Sequence, residues 1–325
     1  MTRFIPIVLF LIAGASAVAP GSAFSRSWPA RTVKIVVPFP PGNGTDILAR
    51  LMSPRLSRDF GQAVIVENRG GANGMIGADA VARAAPDGYT LLFTSPSTHV
   101  TAQFLSKNLP YDPIRDFTPI TAAVEPVTVM VMNPSVPANS IQELIAYAKE
   151  NPGKLNYSSP GVGAVFHMSG ELFQLGAGVD IVHVPYKGAP NALAGVIAGE
   201  VAIGFSSLAS VLPHLRSGKV KVLAVLEGAR YPGLPQVPSI REIIPGFEKP
   251  ASWFGLFGPA ALPRPVLERL HAGIVSTLKA PEVHSKIDEL AMTVIANTPE
   301  QFAAQIRAGI EQYGRLIKSA GIKPQ

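Results

Sequence analysis

The chain has 325 residues, with 28 Lys and Arg against 22 Asp and Glu, no cysteine and 47% hydrophobic residues. That length exceeds the roughly 250–300 residues at which one hydrophobic core stops growing, so two lobes are expected. Only 15% of residues are charged, which with the apolar content excludes disorder; the missing cysteines exclude a disulfide scaffold, a thiol nucleophile and a cysteine-bound metal. The net charge is +6, but its densest basic patch is Lys219-Val220-Lys221. Nucleic-acid binding needs a basic stripe, and none is present.

Arg3 is the only charge before Arg26, and Phe4 to Val18 is almost wholly apolar. Small residues follow at Ala15-Ser16-Ala17 and Gly21-Ser22-Ala23. This layout predicts a cleaved export signal over residues 1–23. The rival is a retained membrane span, which Gly14, Pro20 and Gly21 weaken.

Short β-branched runs then recur at Val33–Phe39, Ala63–Glu67, Tyr89–Thr94, Val127–Met132, Leu155–Ser158, Ile181–Tyr186, Val201–Phe205, Val220–Leu226 and Trp253–Gly258. Helical patterns lie between them. Ser140-Ile141-Gln142-Glu143 reads as a capping box, and Pro152-Gly153 stops the helix it opens. Near the end, Thr298 caps and Phe302, Ile306, Ile310, Tyr313 and Ile317 form one apolar stripe. The alternation predicts an α/β chain with mainly parallel sheets flanked by helices. Pro- and Gly-rich passages at 110–126 and 231–250 read as crossings between lobes. Residues 28–123 and 250–325 would then form lobe one, and 124–249 lobe two.

Glycines and hydroxyls cluster where strands run into helices. The first cluster is Phe39-Pro40-Pro41-Gly42-Asn43-Gly44-Thr45-Asp46; the second is Ser158-Ser159-Pro160-Gly161-Val162-Gly163. Shorter versions are Thr94-Ser95-Pro96-Ser97-Thr98, Tyr186-Lys187-Gly188 and Phe205-Ser206-Ser207. Ligands of α/β sheets bind at such carboxyl ends, and helix N-termini there offer unpaired N–H donors to an anion. The plainer reading of each turn alone is a tight corner with a capped helix. Five together favour an anion-recognising cleft. Asp46, a carboxylate in a first helical turn, reads as structural. An alanine at Gly44 or Gly161 is expected to weaken binding by pushing the backbone off the ligand.

Enzyme motifs are missing: no P-loop, no complete G-x-G-x-x-G, no nucleophile elbow and no H-E-x-x-H. The six histidines lack metal-ligand spacing, so neither catalytic residues, metal nor cofactor is expected. His167 opens a helix beside the second glycine turn, where it lines the cleft or, as the favoured reading, caps or packs; His183 is read as a hydrogen-bonded core residue.

Val36-Val37-Pro38-Phe39-Pro40-Pro41-Gly42, Val66-Glu67-Asn68-Arg69-Gly70-Gly71, Pro86-Asp87-Gly88-Tyr89, Leu109-Pro110-Tyr111-Asp112-Pro113, Gly170-Glu171-Leu172-Phe173 and His183-Val184-Pro185-Tyr186-Lys187-Gly188 follow one another in order. Together they resemble the tripartite tricarboxylate transporter receptors, the periplasmic Bug proteins, from about Trp28 to the end. The resemblance implies a two-lobed type II periplasmic binding protein closing by a hinge over a small organic carboxylate. It implies delivery to the membrane subunits of such a transporter, and a monomer is expected. Carried over, the ligand-binding positions are Phe39, Gly42, Asn43, Gly44, Thr45 and Asp46, with Ser95 and Ser97 nearby. In lobe two they are Ser159, Gly161, Val162, Gly163, Ala164, Tyr186, Ser206 and Ser207. Three positions depart from the family: Asn43 replaces a glycine, Ala164 lacks a hydroxyl, and Ser206 stands where an acid is common. Ser206 argues against an amino-acid ligand. Arg69 reads as structural. The rivals are a sensory adaptor for a membrane kinase and a secreted enzyme acting on small carboxylates.

Overall fold

The computed structural model describes residues 28–319; the expected export signal lies outside the described residues. In chain order the elements are β1 (Val33–Val37), α1 (Gly44–Phe60), β2 (Val64–Asn68), α2 (Met75–Ala82), β3 (Thr90–Thr94), α3 (Ala102–Leu105), β4 (Phe117–Pro126) and β5 (Thr128–Met132). Next come α4 (Ile141–Glu150), β6 (Asn156–Ser159), α5 (Val165–Ala177), β7 (Val182–Pro185), α6 (Ala189–Ala198), β8 (Ile203–Ser207), α7 (Leu208–Arg216) and β9 (Lys221–Val225). The chain closes with β10 (Phe254–Pro259), α8 (Arg264–Lys279), α9 (Pro281–Glu289), β11 (Met292–Val294) and α10 (Pro299–Ser319).

The strands build two sheets, ordered β11-β4-β10-β3-β1-β2 and β7-β6-β8-β5-β9. Both are mixed, which corrects the expectation of mainly parallel sheets. β1 runs parallel to β2 and β3, and β6 parallel to β7 and β8. β10, β11 and β5 all pair antiparallel with their neighbours. The reason is topological: the chain enters the second sheet directly from β4 through Val127 and returns as β10, so these crossing strands reverse direction.

β4 lies in the Pro- and Gly-rich passage 110–126 that was expected to be a crossing between lobes, and it carries Pro119 within its pattern. A proline cannot donate to a ladder and is confined to edges and bulges. β11 pairs β4 only from Val124 to Pro126, and the β10 register shifts beside Pro119. The proline therefore sits where β4 has a ladder on one side only.

Helices cover both faces of each sheet. α1, α8 and α9 pack on one face of the first through Leu48, Met52, Leu270, Ile274 and Ile287. On the other face lies α10, whose expected stripe is confirmed: Phe302 and Tyr313 are wholly buried, with Ile306 and Ile317 nearly so. Each such side chain contributes about 1.5–3 kcal/mol on burial. Thr298 caps this helix, accepting from the Gln301 N–H while the Gln301 side chain accepts from its own. At α4 the expected box forms by half: Ser140 accepts from Glu143, but the Glu143 carboxylate takes the N–H of Asn139. Met168 of α5 joins the core shared by β1, α2 and α10, so one helix of the second sheet packs against the first.

Candidate functional site

Parallel strands end side by side, and that alignment gathers the glycine turns. On the first sheet Val37 lies opposite Asn68 and Val36 opposite Leu92, so the segments after β1, β2 and β3 share one edge. On the second, Ser159 lies opposite Pro185 and Ser158 opposite Gly204. Ser159, Tyr186 and Ser206-Ser207 therefore share the carboxyl edge of β6, β7 and β8.

Phe39 to Asp46 forms a closed turn. Asn43 caps α1, its side-chain oxygen accepting from the Asp46 N–H at 2.9 Å and the Thr45 hydroxyl at 2.7 Å. The Asp46 carboxylate points inward with a 4% exposed side chain. It accepts from the Gly42 N–H at 2.8 Å, Arg50 at 3.0 Å and Asn68 at 2.9 Å. Burial alone would raise its pKa, yet the Gly42 N–H, Arg50 and Asn68 together hold it below the usual carboxylate value. The Asn68 amide also donates to the Phe39 carbonyl at 3.1 Å, stapling the turn to β2. The negative charge is thus bound up in the scaffold, and the amides of Gly44 and Thr45 have no acceptor within the helix.

Gly42 needs its positive φ of 84°, but Gly44 is a glycine for another reason. A Cβ there would stand 2.8 Å from the Phe254 ring. The packing of α1 on β10 is thus a reason for glycine here that sequence reasoning did not contain. Ser95 and Ser97 follow β3, with their hydroxyls 3.0 Å apart, and Ser97 opens a π-helical turn through Thr101. Arg69 pairs with Glu67 and its N–H donates to the Val37 carbonyl, a structural role as expected.

Ser159 to Ala164 forms the second turn. The Ser159 hydroxyl accepts from the Gly161 N–H at 3.2 Å and lies 2.7 Å from Nε2 of His183. Gly161 and Gly163 have φ of 147° and 77°, so both need glycine. Val162 is exposed, and Ala164 occupies the N-cap of α5 with no side-chain hydrogen bond. The N–H of Gly163 donates to Nδ1 of buried His167 at 2.9 Å. A Cβ on Gly163 would lie 2.1 Å from Leu105, so this turn abuts α3 of the other sheet.

The remaining positions contribute differently than side-chain chemistry predicts. The Tyr186 hydroxyl donates outward to Glu200 at 3.0 Å and lies over Gly195, whereas its N–H donates to the Ser159 carbonyl. Tyr186 therefore meets the turn through its backbone. Ser206 is buried opposite Val129, and Ser207 begins α7 with its hydroxyl 2.9 Å from Ser210. Asn68 and His183 shape these turns although sequence reasoning did not place them among the site residues, whereas His167, expected beside the second glycine turn, holds it directly. A shallow groove of about 300 Å³ is lined by Lys149, Gly176 and Ile244 among others. It lies at the C-terminal end of α5, roughly 20 Å along the helix from the glycine turn.

Among the described residues no group of three or more His, Asp or Glu could hold a metal ion, and no helix is long and apolar enough to cross a membrane.

Residues 48–322 match the model of the family described as tripartite tricarboxylate transporter family receptor. The chain is 34% identical over 325 residues to protein BugT of Bordetella pertussis, covering 99% of each. Its fold superposes on R. palustris Rpa4515 with adipate at a TM-score of 0.83 and 34% identity, covering 92% of this chain and 100% of that one. It also superposes on MatC from Rhodopseudomonas palustris with bound malate at a TM-score of 0.77 and 32% identity, covering 89% and 100%.

Proposed function

This chain belongs to the tripartite tricarboxylate transporter receptor family, and from that premise we propose that it is a periplasmic receptor for a small organic dicarboxylate. Lobe one comprises residues 28–123 and 250–325, lobe two residues 124–249, and the ligand bridges their turns at Phe39–Asp46 and Ser159–Ala164. Ser95, Ser97, the Tyr186 backbone, Ser206 and Ser207 border it. Hinge closure over the ligand prepares it for delivery to the membrane subunits of a tripartite transporter.

The observation that carries this reading is the chemistry of the first turn. Asn43 caps α1 from the side while the Asp46 carboxylate is turned into the scaffold, so the helix N-terminus offers donors and no competing charge. Such an end carries about half a positive charge. Micromolar affinity corresponds to about −8 kcal/mol. Hydrogen bonds to an ionised group at about 1.5–3 kcal/mol each reach it with a handful of donors, even after ordering costs. Ser206 in place of an acid leaves this edge without a partner for an amino group, and the relatives carrying adipate and malate point the same way.

A thermal-shift series with adipate, malate, aromatic carboxylates and amino acids tests the reading. Ligand binding the folded state alone stabilises it by about 2.7 kcal/mol at a hundredfold excess over Kd. A shift with dicarboxylates, the ligand being recovered unchanged, is expected. A shift confined to amino acids, or turnover of the ligand, would overturn it.

A further inference from the structure

We propose that His167 and His183 are positioning residues for the carboxylate turn, a stacked pair of neutral imidazoles that holds Ser159 to Gly163 in its binding shape. The inference rests on the reading of that turn as part of the carboxylate site. The two rings lie 3.9 Å apart at 19°, with Tyr157 stacked on His183 at 4.9 Å.

The direction of one hydrogen bond settles the state of His167. The Gly163 N–H can only donate, so Nδ1 of His167, 2.9 Å away, is the acceptor and carries no proton. The ring proton of the neutral form is then on Nε2, which faces Oε1 of Glu171 at 3.5 Å. That carboxylate is already held by the Tyr157 hydroxyl at 2.6 Å and the Gln174 amide at 3.3 Å. His183 grips the other end of the turn, its Nε2 lying 2.7 Å from the Ser159 hydroxyl that accepts from the Gly161 N–H. Each glycine with a positive φ is thus tied to one ring, Gly163 directly and Gly161 through Ser159.

The titratable groups facing the pair are Glu171 from α5 and Tyr157 from β6, while Leu105 closes the far side of Gly163. Burial, followed by the neighbouring His167, pushes His183 down to about 4, with Glu171 opposing. A proton added at Nδ1 of His167 would leave two donors facing each other, evict the Gly163 N–H and release the turn. The loss of an acceptor outweighs the added positive charge, because the anion is held by oriented N–H groups that the released turn no longer presents.

The test uses the mature protein at pH 7.5, where the probes adipate and malate are both dianions. His167→Phe keeps the stack and removes the acceptor; His167→Asn places an amide oxygen near the Nδ1 position and cannot titrate. Loss of one buried hydrogen bond predicts about tenfold weaker binding for His167→Phe at pH 7.5. His167→Asn is expected to bind within about threefold of wild type there. Nitrogen-15 spectra of ligand-free wild type should show His167 protonated at Nε2 alone. Wild-type affinity for His167→Phe, or a proton on Nδ1 at pH 7.5, would overturn the proposal. If wild type binds neither acid, the site reading fails instead, and the spectra still decide whether the ring holds the turn.

Discussion

Nζ of Lys249 lies 2.6 Å from Oε1 of Glu227, and this partly buried pair sits where the chain passes between its two sheets. Lys249 also reaches the Pro126 carbonyl at 3.1 Å and Glu125 at 2.9 Å, while Glu227 accepts from the Thr128 N–H at 2.9 Å. Both passages between the sheets, the outgoing one at Pro126–Thr128 and the return at Lys249, are therefore tied to one ion cluster. Breaking a partly buried pair leaves a charge that solvent compensates only in part, at a cost between the ~1 kcal/mol of an exposed pair and the ~3–5 kcal/mol of a buried one. Oε2 of Glu227 is already buried without a partner. Lys249→Met should lose stability of that order in urea unfolding, with Glu227→Gln in the same background recovering part. An unchanged midpoint would show that the cluster holds nothing.

Asp46→Asn keeps the shape of the first turn and replaces an acceptor by an amide. All the carboxylate's partners are donors: the Gly42 N–H, Arg50 and Asn68. Whichever way the amide turns, its NH₂ faces a donor, at a cost of about 1–3 kcal/mol. The expected outcome is lower stability together with weaker dicarboxylate binding, read by denaturation and calorimetry on one preparation.

Gly163→Ala should act through Leu105. The added Cβ would lie 2.1 Å from a Leu105 methyl, at a φ of 77° that an L-residue rarely adopts. A loss of about 1–3 kcal/mol is expected for the overpacking. Leu105→Ala in the same background should relieve the clash and leave the backbone strain. A double mutant less stable than the sum of the two singles would contradict the contact.

Acid should destabilise the protein before its carboxylates titrate. Burial pushes His99 down to about 3, and burial with the adjacent His167 pushes His183 to about 4. Each folded value lies below the ordinary histidine value near 6.5, so the unfolded chain binds more protons. Their contribution is complete above about pH 6.5 and falls away as pH drops toward 4. Thermal midpoints should decline across that window, less so for His183→Gln. A flat profile from pH 7 to 5 would contradict these burials.

Much of this was legible in the sequence because period and punctuation are local. The nine expected strands all form, the α10 stripe packs as its spacing predicts, and the glycine turns fall after strands as expected. β4 was missed because its Pro- and Gly-rich passage, with Pro119 inside the strand, reads as a crossing until the one-sided ladder around that proline is known. β11 has three residues and takes its form from pairing with β4.

The glycine, asparagine and hydroxyl positions themselves determined that the chain turns sharply after β1 and β6 and exposes helix ends there, since φ and capping depend on neighbours in the chain. Which side chains hold those turns was decided only by the tertiary structure. Asn68 reaches Phe39 across 29 positions of sequence, and His183 reaches Ser159 across 24. Such contacts exist because parallel pairing sets strand ends side by side, and that register follows from burial of whole sheets, which no local window of residues contains.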